Sequence, residues 1–307
     1  MKSQGILVVS LDLEMRWGVL ATYRDTDQYS KNIFGVESAV KGILNSFETH
    51  KIHATWAFVG AMLCENYEEF SSMLPKNMPN FDSKVCSSYN YLNYISNNET
   101  QFFNPDLVKK IAESKGQEIA SHTFSHLYVK EKGVTYSDFL GDLKIFYKLI
   151  KEKLNMQAVS FVYPRNQVQY TEALRCFDFK CYRGTGRYWF NKNDNLLSRI
   201  VRLFVMHFGP SKLGSCNISI NSKIINVPGT IFLRPYDNYF FQKLRIWRIK
   251  RTLLYAKNHS MMVHIWWHPH NFGVNLNKNL IMLDEILLYS NKIELLSLNM
   301  NEASSSV

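Results

Sequence analysis

Short runs rich in β-branched and aromatic residues recur along the chain, and several of the intervening segments carry apolar residues at helical spacing. That alternation constrains the fold most, because strands separated by amphipathic helices pack as a mainly parallel sheet with helices outside it. The candidate strands are "GILVVSLD" (5–12), "HATWAFVG" (53–60), "QEIASH" (117–122), "AVSFVYP" (158–164), "FKCYRGTG" (179–186), "MMVHIWWH" (261–268) and "IELLSLN" (293–299). Helical periodicity covers 36–50, 104–116 and 135–154. The second of these also has Asn104 as an N-cap, Pro105 in the first turn and Gly116 as a stop. Residues 61–103 and 187–230 break the alternation and are read as insertions in a single domain spanning 1–300. The closing "NEASSSV" (301–307) is read as a flexible tail.

A chain of 307 residues is long enough for one large α/β domain with a sizeable core. Lys and Arg number 36 against 26 Asp and Glu, an excess of +10 that favours anionic partners such as phosphorylated sugars or acidic lipid headgroups. The five cysteines are scattered, odd in number and without the close pairs of a structural zinc site, which argues for a reducing compartment. Asp12 interrupts the N-terminal apolar stretch too early for a signal-peptide core or a membrane span, so a cytoplasmic location is expected.

In parallel α/β architectures, functional side chains gather where strands end and loops begin. The first candidate strand ends in "SLDLE"; if the extended backbone continues, Asp12 and Glu14 point to one face, and two close carboxylates call for a cation or a shared proton. The third strand runs into "SHTFSH", where a helical turn would set His122 and His126 on one side, within joint reach of an ion. Each pair alone also fits ordinary solvated or packed roles. Together, one carboxylate and two histidines make the three-ligand arrangement of a hydrolytic metal with positions open to water and substrate. Arg165, after Pro164 in "FVYPRN", could pair with Asp12 and keep it ionised. In "HIWWHPHNFG", His264, Trp266 and His268 alternate onto one face, with His268 at the strand end where a general acid could act and His270 as its competitor.

Taken in order from residue 5 to about 272, these stretches resemble the polysaccharide deacetylases of the NodB-homology group, carbohydrate esterase family four. "SLDLE" is similar to the family's first motif, "SHTFSH" to its His-Ser/Thr-x-x-His motif, and "FVYPRN" to the arginine motif of the branch with a late His-Pro, here His268-Pro269. The resemblance implies a distorted, incomplete (β/α)7-type barrel. It also implies Asp12 as catalytic base, Glu14, His122 and His126 as metal ligands, Arg165 as the tether of Asp12, and His268 as acid. Zinc, or another divalent transition metal, is the implied cofactor. One departure stands out: the two acids of the first motif are adjacent aspartates in many members, whereas here Leu13 separates Asp12 from Glu14.

The expected substrate is an N-acetylated sugar in an intracellular nucleotide- or lipid-linked glycan precursor, in surface-polysaccharide assembly. "NYFFQKLRIWRIKRTLLYAK" (238–257) interleaves aromatics with Lys and Arg, and Phe240, Leu244, Trp247 and Leu254 share a helical stripe. Peripheral membrane contact through that stripe competes with the plainer reading, in which the stripe packs on the barrel. Removal of formyl or another small acyl group, and a catalytically silent glycan-binding role, are the rival functions. The basic residues look dispersed and no nucleic-acid motif is present, so no nucleic-acid partner is expected.

Overall fold

The computed structural model describes residues 4–185, 195–221 and 224–306. Its centre is a sheet of mainly parallel strands: β1 (Ile6–Leu13), β2 (Ala54–Phe58), β3 (Gln117–Ser121), β4 (Ser160–Val162), β5 (Cys181–Arg183), β6 (Ser219–Asn221), β7 (Ile224–Asn226), β8 (Ile231–Phe232), β9 (Met262–Trp267) and β10 (Leu296–Leu298). The strands pair in the order β6-β7-β5-β4-β3-β2-β1-β9-β8, and only β6 runs antiparallel to its neighbour. All seven candidate strands are present. β1 to β5 and β9 are buried on both faces, which is why they read as apolar runs rather than as alternation.

The path bends into a distorted, incomplete (β/α)7-type barrel. The extended segment 224–232 lies along both ends of the sheet, its first half on β5 and its second half on β9. Val227 N–H donates to Tyr182 C=O at 2.9 Å, and Thr230 N–H to His264 C=O at 3.0 Å. One inward side chain from each position round the ring, Val8, Ala57, Ala120, Val162, Cys181, Val227 and Met262, meets in a second core inside the barrel.

Three helices cover the outside where the sequence places amphipathic segments, α1 (Val36–His50), α2 (Pro105–Ala112) and α3 (Tyr136–Leu154), and a helix over Leu276–Lys292, between β9 and β10, joins them. The side chain of Asn104 accepts the Leu107 N–H at the start of α2, and Thr135 and Asp138 form a capping box at the start of α3.

Three expectations change. The seventh barrel position belongs to 224–232, which begins inside the stretch read as an insertion and ends just past it; Pro228 and Gly229 split it into strands of three and two residues, too short to show a period. The stretch also holds a helix over Leu196–Phe208, while residues 186–194 and 222–223 of it lie outside the described residues. β10, read as a barrel strand, flanks the start of β1 off the main path. Residues 301–307, read as a flexible tail, carry most of a helix over Met300–Ser304 with an Asn299–Glu302 capping box. Met300 and Ala303 of that helix pack into the inner core. Within "NEASSSV" Glu302 serves the cap and Ser304 is buried, whereas Ser305 and Ser306 are exposed. Residues 61–103 form short helices around Trp17, whose indole N–H donates to Phe102 C=O at 2.9 Å.

Candidate active site

The site forms at the carboxyl ends of β1, β3, β5 and β9. On β1 the inward face carries Val8, Ser10 and Asp12, and the chain leaves the strand so that Glu14 follows on the same side. Gly18 makes this position workable: a Cβ there would overlap the Glu14 carboxylate.

The "SHTFSH" stretch is not helical. It is a loop in which Thr123 and His126 both adopt left-handed backbone angles, φ 64° and 59°. The loop still brings the two imidazoles together, their centroids 5.1 Å apart. Asp142, buried on α3, holds its shape by accepting from Phe124 N–H at 2.6 Å, Ser125 N–H at 3.1 Å and the Ser125 hydroxyl at 2.6 Å. Burial pushes the Asp142 carboxyl up to about 6 against those three bonds.

Glu14 Oε1 lies 2.9 Å from His122 Nε2 and 3.1 Å from His126 Nε2. His122 Nδ1 sits 2.8 Å from the Val162 carbonyl, which can only accept, so Nδ1 carries a proton and Nε2, the atom turned to Glu14, offers a lone pair whenever the ring is neutral. A lone pair and a carboxylate oxygen at that distance need a positive charge between them. Burial holds His126 below the ordinary histidine value, which favours a neutral, ligand-ready ring. Burial would raise Glu14, but the imidazoles of His268, His126 and His122 around it bring it well below the usual carboxylate range. An ionised oxygen flanked by two imidazole nitrogens, all within 4.8 Å of one another, suits a divalent transition metal.

Asp12 stands beside this group. Burial would raise its carboxyl; the Arg183 guanidinium, bonded to both oxygens at 2.6 Å, holds it below its usual value. Arg183 is fully buried, donates also to Ser10 Oγ at 3.0 Å and lies over the Trp266 ring at 4.3 Å. Here the expectation for Arg165 is corrected. Arg165 is exposed, with its guanidinium over the Tyr128 ring at 4.2 Å, and Arg183 makes the pair with Asp12. Arg183 ends β5, whereas Arg165 lies three residues past the end of β4. The overlooked signal was the period-two placement of a charge after Cys181 in "FKCYRG", on the barrel's inward face.

His268 Nε2 lies 3.7 Å from Asp12 Oδ2 and 3.6 Å from Glu14 Oε1, with its side chain partly open to solvent. His270 stacks behind it at 5.1 Å, fully buried and pushed down to about 3 by that burial. The inward alternation of His264, Trp266 and His268 is present: His264 bonds Ser10 at 2.8 Å, Trp266 carries Arg183, and His268 faces the acids. The fold thus brings Asp12, Glu14, His122, His126 and His268 together and leaves Arg165 outside. Sequence reasoning missed Arg183, Asp142 and Gly18.

The cluster of titratable side chains lies at the strand ends of an incomplete (β/α)7 barrel, where folds of this kind place their active sites. Residues 27–175 match the model of a family described as polysaccharide deacetylase. Solved structures share the fold. A Mycobacterium smegmatis protein described as a polysaccharide deacetylase aligns over 100% of this chain and 92% of its own, with TM-score 0.64 and 11% identity. One from Pseudomonas aeruginosa PAO1, similarly described, covers 98% and 90%, with TM-score 0.59 and 11% identity. The Puue allantoinase covers 99% and 91%, with TM-score 0.58 and 11% identity. None of the curated proteins matches the sequence.

Proposed function

We propose that the chain is a metal-dependent N-deacetylase of an N-acetylated sugar carried on a nucleotide- or lipid-linked precursor in surface-polysaccharide assembly. The supporting observation is the meeting of Glu14 Oε1 with both histidine Nε2 atoms, flanked by Asp12 and His268 on the open side. Glu14, His122 and His126 would hold the ion, with zinc the best match to two imidazoles and a carboxylate. When bound, such an ion supplies Lewis-acid polarisation of the amide carbonyl.

The remaining chemistry belongs to side chains. Asp12, kept ionised by Arg183, takes the proton of the attacking water. His268, partly open to solvent, hands a proton to the departing nitrogen, which is a poor leaving group until protonated. His270, buried and neutral, stacks on His268 and orients it. Acetate and an amino sugar are the products.

The test is metal content together with acetate release from nucleotide-linked and lipid-linked N-acetyl sugars. Stoichiometric zinc with acetate release supports the reading. Formate release from an N-formyl sugar without acetate release replaces the acyl group, and a preparation that neither binds metal nor releases acid overturns the mechanism.

A further inference from the structure

The excess positive charge, which looked dispersed, is confined to one stretch. Residues 195–259 hold eleven Lys and Arg and a single acid, Asp237, so the rest of the chain carries 25 of each sign. That stretch includes α4 (Leu196–Phe208) and α5 (Tyr239–His259), which pack on each other.

α5 does not use the expected stripe for packing. Its buried face is Arg245, Ile246, Arg248, Ile249, Leu253 and Ala256, whereas Phe240, Trp247 and Leu254, seven apart, are 69%, 51% and 41% exposed. Tyr239 beside them is also exposed, as are Leu196, Leu197 and Ile200 on α4. Isolated exposed apolar residues are ordinary; these cluster on two adjoining helices. Cations sit among the aromatics: Lys243 Nζ lies over the Tyr239 ring at 4.4 Å and the Arg251 guanidinium over the Trp247 ring at 4.7 Å.

The patch begins at the mouth of the barrel. Phe232, the last residue of β8, meets the His268 ring edge-on at 5.8 Å, and α5 starts seven residues later. The N-terminal turn of α5, with its exposed Tyr239 and Phe240, therefore rises from the same end as the candidate active site.

We infer that α4 and α5 dock this protein on an anionic lipid surface, with the start of α5 beside the barrel mouth. Amphipathic aromatics with interleaved Lys and Arg fit the boundary between headgroups and acyl chains. A second copy is the poorer occupant, because a self-complementary interface would bring two strongly basic segments together. Among the described residues no helix is long and apolar enough to cross a membrane, so contact is peripheral. The inference deepens the proposed function, since docking would bring a lipid-linked sugar to the site.

The test is flotation of the full chain with vesicles of phosphatidylcholine alone or mixed with phosphatidylglycerol. Expected are flotation with the anionic vesicles only, reversal by salt, and loss in the triple variant Tyr239→Ser, Phe240→Ser, Trp247→Ser. Lys243→Glu with Arg251→Glu should weaken binding by about fivefold for each basic residue removed from the surface. Circular dichroism should match wild type in both variants, and acetate release from a water-soluble N-acetyl sugar should persist. Equal flotation of the triple variant, no flotation of wild type, or light scattering showing a dimer that the triple variant dissolves would overturn docking. Wild type that floats but releases no acid supports docking while removing the deacetylase reading; acid release without flotation does the reverse.

Discussion

Replacing Arg183 by Met tests which arginine governs Asp12. The two guanidinium bonds to Asp12 are 2.6 Å long and both side chains are buried, so removing the cation leaves a carboxylate desolvated without its main counter-charge. Breaking one side of such a pair costs about 3–5 kcal/mol. The Ser10 bond and the packing on Trp266 go with it. In wild type the depressed Asp12 value contributes stability that is fully present above the unfolded carboxylate value, about 3.9, and is lost as pH falls through the folded one. In Arg183→Met, burial acts with less opposition and the carboxyl rises. The stability difference between variant and wild type should therefore be largest at neutral pH and shrink on acidification, and the acid limb of kcat/KM should move up. Arg165→Met removes only an exposed stacking contact on Tyr128, about 0.5–1 kcal/mol. Urea unfolding of both metal-loaded variants across the acid-to-neutral range, with pH profiles of acetate release, reads the comparison. The reasoning fails if Arg183→Met unfolds like wild type, or if Arg165→Met alone shifts the acid limb.

Asp12→Asn is expected to keep wild-type metal stoichiometry and lose most turnover, whereas His126→Ala should lower metal content itself; elemental analysis beside acetate release separates the two. His268→Ala should retain metal and slow turnover by roughly two to four orders of magnitude as a lost general acid, measured with a substrate whose leaving amine is poor. His270→Ala should cost less than that, and a larger loss there would move the acid role to His270. Asp142→Ala leaves two backbone N–H groups and the Ser125 hydroxyl without their acceptor, at about 1–3 kcal/mol for each buried group left unsatisfied. Its expected signature is weaker metal binding, read by competition with a chelator, because the loop it shapes carries both histidines.

Much of this was legible because parallel barrel strands announce themselves. Runs such as "ILVVSLDL" and "MVHIWW" are buried on both faces, and their carboxyl ends deliver Asp12, Glu14 and His268. The histidine pair was legible as a pair but not as a shape: Thr123 and His126 take left-handed angles that no four-residue spacing reveals, and Asp142, which stabilises them, comes from a helix that reads only as amphipathic. The choice between Arg165 and Arg183 could not be made from strand ends alone, because strands of three residues leave the inward face undetermined by a single step. The terminal helix was hidden for another reason. Its inner contacts are small or flexible groups, Met300, Ala303 and Ser304, that resemble a linker when read without the barrel they fill.

The first strand has a bearing on how the molecule assembles. β1 pairs on one side with β2, some forty residues downstream, but its opposite edge waits for β9, and its opening residues also bond to β10, more than 280 positions away. Asp12 and Glu14 are thus carried by a strand whose full partners are synthesised near the end of the chain. Such non-local pairing makes the route to the native state slow and exposes an unpaired apolar edge meanwhile. An amino-terminal fragment ending before Met262 would hold every proposed metal ligand yet lack the strand that pairs with the one carrying Asp12. Assembly of the site and closure of the chain on itself are one event.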